Sequence, residues 1–155
     1  MTTEDKLRHK KSVFDALLET KREEFERLSN FQQEQLESIN RSSNNESQDV
    51  IENPRENQMR ELRVENETID KLRKEINYLE GFESLKERDQ VEVGSLIKTS
   101  AGNFLVAVPK LKFEAEGDTF TAISAHSPLF EALSGAAEGD KVDFNGEQYH
   151  IETII

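Results

Sequence analysis

The stretch VEVGSLIKTSAGNFLVAVP, residues 91–109, is where the hydrophobic period of this chain changes. Upstream of it, apolar residues recur every three, four or seven positions. From Val91 onward they alternate, which is the spacing of a strand whose successive side chains point to opposite faces. The stretch reads as two strands around a turn at Ser100–Asn103. Downstream, GDTFTAIS (117–124) is a third strand candidate. SPLFEALSG (127–135) reads as a short helix, with Ser127 as N-cap, Pro128 at the first helical position and Gly135 as the stop. KVDFNGEQYHIETII (141–155) reads as a hairpin, because Asn145-Gly146 supplies the two positive φ angles that a type I′ turn requires. The C-terminal half, 91–155, is therefore expected to be a small antiparallel sheet with one short helix. Its expected core is Val93, Leu96, Phe104, Val106, Phe120, Ile123, Leu129, Leu133, Val142, Phe144, Ile151 and Ile154.

The N-terminal half, 1–81, predicts two helices. Leu7, Phe14, Leu17, Leu18, Phe25, Leu28, Phe31, Leu36 and Ile39 follow helical spacing, with no Gly or Pro between them. Glu4 and Asp5 suit a helix start. That span would be about 60 Å long. RSSNNESQ (41–48) breaks the pattern, since Ser and Asn compete for backbone hydrogen bonds. Leu62, Ile69 and Ile76 then repeat every seven residues, with Leu72 and Leu79 on the other seam position. Neither apolar stripe can stay in water. Each most simply covers the other, as an antiparallel coiled-coil hairpin with its tip near 43–53; a larger bundle or a dimer is the alternative. Phe14, Phe25 and Phe31 are assigned to the hairpin core. Residues 82–90 read as a linker. The expected class is α+β.

Composition narrows the function. The 155 residues carry a net charge of −12, with 14 basic and 19 acidic residues in 1–81 and 6 and 13 in 82–155. Binding nucleic acid through phosphates needs a basic surface, so independent DNA binding is not expected. There is no cysteine, which excludes disulfides, thiolate nucleophiles and Cys-type zinc sites. No apolar run reaches membrane-spanning length, so no membrane partner is expected, and the reading is a cytoplasmic protein. His9, His126 and His150 lack ligand spacing, and no orienting group makes His126-Ser127 a catalytic pair.

The acidic stretch SQDVIENPREN, residues 47–57, sits between the two helices. A capping box with Asp49 as N-cap and Glu52 at N3 would place Pro54 inside the helix, where its ring clashes with the carbonyl four residues back. The better frame has Asn53 as N-cap, Pro54 at N1 and Glu56 at N3. Asp49 and Glu52 are then not used in capping. They are either a solvated polar tip or carboxylates that complete a metal site in another protein.

The chain resembles the Gre family of bacterial transcript cleavage factors. The resemblance rests on Ser127-Pro128, Ala132-Leu133-Ser134-Gly135 and Gly139-Asp140-Lys141-Val142 in the C-terminal half, and on Asp49-Val50-Ile51-Glu52-Asn53 at the tip. It implies a coiled-coil hairpin followed by an FKBP-like domain. It implies insertion of the tip into the secondary channel of RNA polymerase, where Asp49 and Glu52 would help bind Mg²⁺ and activate water. Backtracked RNA would be cut at its 3′ end by the polymerase itself, so the chain is not an enzyme alone and holds no cofactor when free. Asn53 matches the adjacent tip residue, Arg60 a basic position near the tip, and Ser127 and Pro128 fall in the partner-binding half. Gln48 stands where the family has Gly, and Pro54-Arg55-Glu56 replaces its tip aromatic. Two alternatives stay open: a paralogue that occupies the channel and inhibits or modulates polymerase, and a self-associating structural module.

Overall fold

The computed structural model describes residues 2–44, 54–81 and 86–155. The chain is α+β, with α1 at Thr3–Asn44, α2 at Pro54–Glu80, β1 at Leu96–Thr99 and β2 at Gly102–Val106. β3 at Leu111–Ala115, β4 at Asp118–Ile123, α3 at Pro128–Leu133, β5 at Lys141–Phe144 and β6 at Glu147–Ile154 follow. Two compact units result. One contains Met1–Thr20 with Leu79–Ile155, and the other contains Lys21–Tyr78.

In the first unit the six strands lie in the order β3-β4-β2-β1-β6-β5. The expectation of a purely antiparallel sheet is corrected here, because β2 and β4 pair in parallel, with Phe104 beside Thr121 and Val106 beside Ile123. The physical reason is the strand β3, which sequence reading left out. The chain leaves β2, forms β3 at the outer edge, turns at Glu116-Gly117 and re-enters between β3 and β2. Both turn residues have positive φ, 51° and 81°, as a two-residue hairpin loop of this hand needs. The expected turn at Asn145-Gly146 is present, with φ 49° and 79°. β1 is shorter than expected. Val91–Ser95 precedes it as turns, with Gly94 at φ 94°.

Both faces of this sheet are buried, which is why runs such as Leu96-Ile97 and Phe104-Leu105-Val106 are apolar without a break. One face carries Leu96, Leu105, Phe120 and Ala122 and packs on Val13, Phe14 and Leu17 of α1. The other carries Ile97, Phe104, Val106, Ile123, Ile151 and Ile154 and packs on Leu129, Phe130 and Leu133 of α3. Of the twelve residues expected in the core, eight lie in these two clusters, and Val93, Leu129, Val142 and Phe144 are partly buried against the second. Phe14 belongs to the sheet core, although sequence reading put it in the hairpin. The first twenty residues accordingly group with the sheet.

Polar contacts fix the start of α1 on this unit. Lys6 Nζ reaches Glu87 Oε1 at 3.2 Å, Thr3 Oγ1 donates to the same carboxylate, and His9 pairs with Glu116. Lys10 is fully buried, and its Nζ donates to the Lys86 carbonyl at 2.9 Å. Burial, with the Arg88 guanidinium nearby, lowers its pKa from 10.5 to about 8. The sign follows from linkage. Below pH 8 Lys10 is protonated folded and unfolded, and the cost of burying the charge is fully present. Between about 8 and 10.5 the unfolded chain binds the proton and the folded chain does not, so stability rises with pH. Urea unfolding of the wild type against Lys10→Met across pH 7–11 is expected to show wild type gaining relative to the variant, by up to about 3 kcal/mol. A difference that does not change with pH would rule out a strained ammonium at this position.

In the second unit, Lys21 Nζ meets Glu75 Oε2 at 2.5 Å, Arg73 lies 5.7 Å over the Phe25 ring, and Gln32 donates to Asn66. Partners climb along α1 as they descend along α2, so these parts of the helices run in opposite directions. Leu62, Ile69, Leu72 and Ile76 are buried on α2, as their seven-residue spacing predicts. Phe31 was assigned to the hairpin core and is corrected: it is 46% exposed. The less exposed positions from Lys21 to Gln35 are Lys21, Glu24, Phe25, Leu28, Ser29, Gln32 and Gln35, so two glutamines stand where Phe31 and Leu36 were expected to pack. No described helix is long and apolar enough to cross a membrane.

Candidate functional site

α3 has six residues and covers about 9 Å of sheet, whereas residues 3–20 of α1 cover about 27 Å of the opposite face. The short helix leaves one end of its sheet face uncovered, and a cavity of about 930 Å³ opens there. Its floor is aromatic. Phe104 and Tyr149 lie with ring centroids 6.0 Å apart, and both are more than 90% buried. Phe144 from β5 adds a third ring. Thr119 and Thr121 of β4 come next on the same face, because residues two apart on a strand share a side with Ile123.

Local chemistry shapes the walls. Thr99 Oγ1 donates to the Gly102 carbonyl at 2.7 Å and accepts from the Ala101 amide at 3.1 Å, which closes the β1–β2 turn. Gly102 sits at φ 143°, a conformation that disfavours any residue with a side chain. The Ser100 amide and hydroxyl both bond to His150, which holds this turn against β6. On the other wall, Ser124 Oγ accepts the His126 amide at 3.3 Å and the Ser124 carbonyl accepts the Ser127 amide at 3.0 Å, turning β4 into α3. Ser127 and Pro128 therefore line the cavity at the start of α3. Pro128 stands in the first turn as expected. Ser127 occupies the N-cap position as expected, with its carbonyl accepting the Glu131 amide, although its side chain makes no cap hydrogen bond.

The charge of the walls departs from that of the chain. Lys110 and Lys112 line the β3 side, and the one carboxylate in the lining is Glu147 at the start of β6. Among the described residues neither lysine's ammonium takes part in an ion pair or hydrogen bond. The Tyr149 hydroxyl donates to Glu147 at 3.5 Å. Burial, and then the Glu147 charge, raise the Tyr149 pKa above its usual 10.

The other expected site residues fall elsewhere. Asp49, Glu52 and Asn53 lie outside the described residues. Arg60 is exposed on α2, in the second unit. Among the described residues no group of three or more His, Asp or Glu side chains is placed to hold a metal ion. The cavity lysines were not singled out from sequence. The available signal was Lys110-x-Lys112, one lysine just before and one within a strand that went unrecognised. No protein-family model matches the chain, and no curated protein matches it.

Proposed function

We propose that the chain is a Gre-like transcription elongation factor that binds bacterial RNA polymerase in the cytoplasm. In this reading α1 and α2 form an antiparallel coiled-coil hairpin that enters the secondary channel, and the sheet unit is an FKBP-like anchor. The observation that carries it is the position of Asp49-Val50-Ile51-Glu52-Asn53. This acidic motif stands between the end of α1 at Asn44 and the start of α2 at Pro54, two helices whose described contacts run antiparallel. Asp49 and Glu52 would offer carboxylate oxygens to a Mg²⁺ ion of the polymerase and orient the attacking water. Two carboxylates leave most of an octahedral magnesium shell to other ligands, so the chain has no nuclease activity by itself. Arg60 would meet polymerase or RNA phosphate, and Ser127 and Pro128 would belong to the anchor.

The test is an RNA cleavage assay on stalled, backtracked elongation complexes. Short 3′-terminal fragments are expected only when both polymerase and this protein are present. Suppression of cleavage driven by an authentic Gre factor would replace this reading with that of a channel-occupying inhibitor. No binding to polymerase at all would end both.

A second reading has its own observation. Phe31, Leu36, Met59 and Val64 of the second unit are 45–62% exposed, and such apolar side chains can mark a self-association surface. Light scattering across a hundredfold concentration range separates the two: a constant monomer mass removes the self-association reading.

A further inference from the structure

We propose that the cavity beside α3 binds a nucleoside 5′-phosphate, with the phosphate on Lys110 and Lys112 and the base on the aromatic floor. The inference is independent of the polymerase reading. Acids outnumber bases 32 to 20 in the chain, yet two ammonium groups and a single carboxylate line this cavity. The two lysine ammonium groups have no protein partner among the described residues, so their charge is available to an anion. Lysine binds phosphate as a point charge and tolerates varied approach angles.

The middle of the cavity suits a planar body. Phe104, Phe144 and Tyr149 provide aromatic surface, and base–aromatic contact is favourable for every base because each has a π-face. Thr119 and Thr121 hydroxyls stand on β4, next to the lysine-bearing strand, where they can donate to phosphate or ribose oxygens. Glu147 lies across the sheet from the lysines, four strands away in the order β3-β4-β2-β1-β6. Ionised, it only accepts hydrogen bonds, so it favours a base with an exocyclic amino group. The cavity lies in the usual size range of small-ligand sites, roughly 300–1,000 Å³. Anion, ring and amine thus meet cation, aromatic floor and carboxylate in one order.

The test uses the full chain, labelled with ¹⁵N and titrated to 10 mM, on the order of weak-ligand affinities, with AMP, adenosine, inorganic phosphate and UMP. AMP is expected to shift the amides of Lys112, Thr121 and Tyr149. Adenosine and phosphate alone should each bind at least about tenfold more weakly, since each lacks one half of the contacts. Lys110→Gln with Lys112→Gln should weaken AMP by about tenfold or more. Both side chains are exposed and unpaired, so the fold should survive. Glu147→Gln should remove the preference of AMP over UMP. Three results would overturn the proposal: no shift at the highest AMP concentration, phosphate alone binding as tightly as AMP, or the lysine double variant binding as wild type. A 5′-phosphorylated tetra-adenylate binding more than about tenfold tighter than AMP would assign the site to RNA ends and overturn the free-nucleotide assignment.

Discussion

Asp49→Asn and Glu52→Gln are each expected to lower stimulated RNA cleavage by orders of magnitude while folding and polymerase binding persist. Under the proposed function, each acid lends an oxygen ligand to a catalytic metal. The amide keeps the shape of the side chain and removes its charge, so the loss falls on the chemical step rather than on positioning. Stability should change by no more than about 0.5 kcal/mol, because neither carboxylate is assigned to a helix cap. The measurement is the rate of fragment release from backtracked complexes at saturating protein, beside thermal unfolding of the free chain. Cleavage at wild-type rate in both variants would reduce the two acids to a polar tip.

The second large effect concerns Lys21 and Glu75. Their side chains are 9% and 12% exposed and meet at 2.5 Å. Glu75→Ala leaves an ammonium in a mostly apolar seam without its counter-charge, and a loss of about 3 kcal/mol is expected. Replacing both together, Lys21→Met with Glu75→Leu, should recover most of that loss, since the cost comes from the unpaired charge rather than from the missing pair. Urea unfolding followed by helix content measures both. If the double variant is as unstable as the single one, the pair contributes through packing instead. Gln32 and Asn66 make a further polar contact between the helices, at their exposed edge. A polar pair inside the seam, as Lys21 and Glu75 are, holds helices in one register, because a slip strands both partners among apolar groups.

The sequence made the helices and most of the C-terminal half legible through period and punctuation. Pro54 and Pro128 marked two helix starts, and Asn145-Gly146 marked a hairpin turn. The strand β3 was missed because Leu111, Phe113 and Ala115 alternate with charged residues over only five positions, and Ala115 is a weak apolar signal. Its turn at Glu116-Gly117 uses a glutamate at positive φ, which composition does not announce. Missing β3 hid the parallel pairing, and with it Lys112 as a cavity residue. The second buried face was hidden for a different reason. Strict alternation assumes one wet side, so Leu105 and Ala122 had no assigned partner until α1 was seen to cover them. Phe31 misled because helical spacing alone does not say which stripe faces a partner.

Val13, Phe14 and Leu17 share one core cluster with Ile155, and Ile155 exchanges two backbone hydrogen bonds with Leu96, at 2.9 and 3.0 Å. A ribosome makes the first three long before the last. For the time needed to translate about 140 residues, roughly 7–30 s at usual elongation rates, the apolar stripe at the start of α1 has no sheet to lie on. This unit therefore has high contact order at its most buried seam, which places it among slow-closing topologies. A nascent chain stalled before residue 150 would present that stripe to chaperones. A fragment such as 82–155 would meet the converse problem, a finished sheet with one bare face.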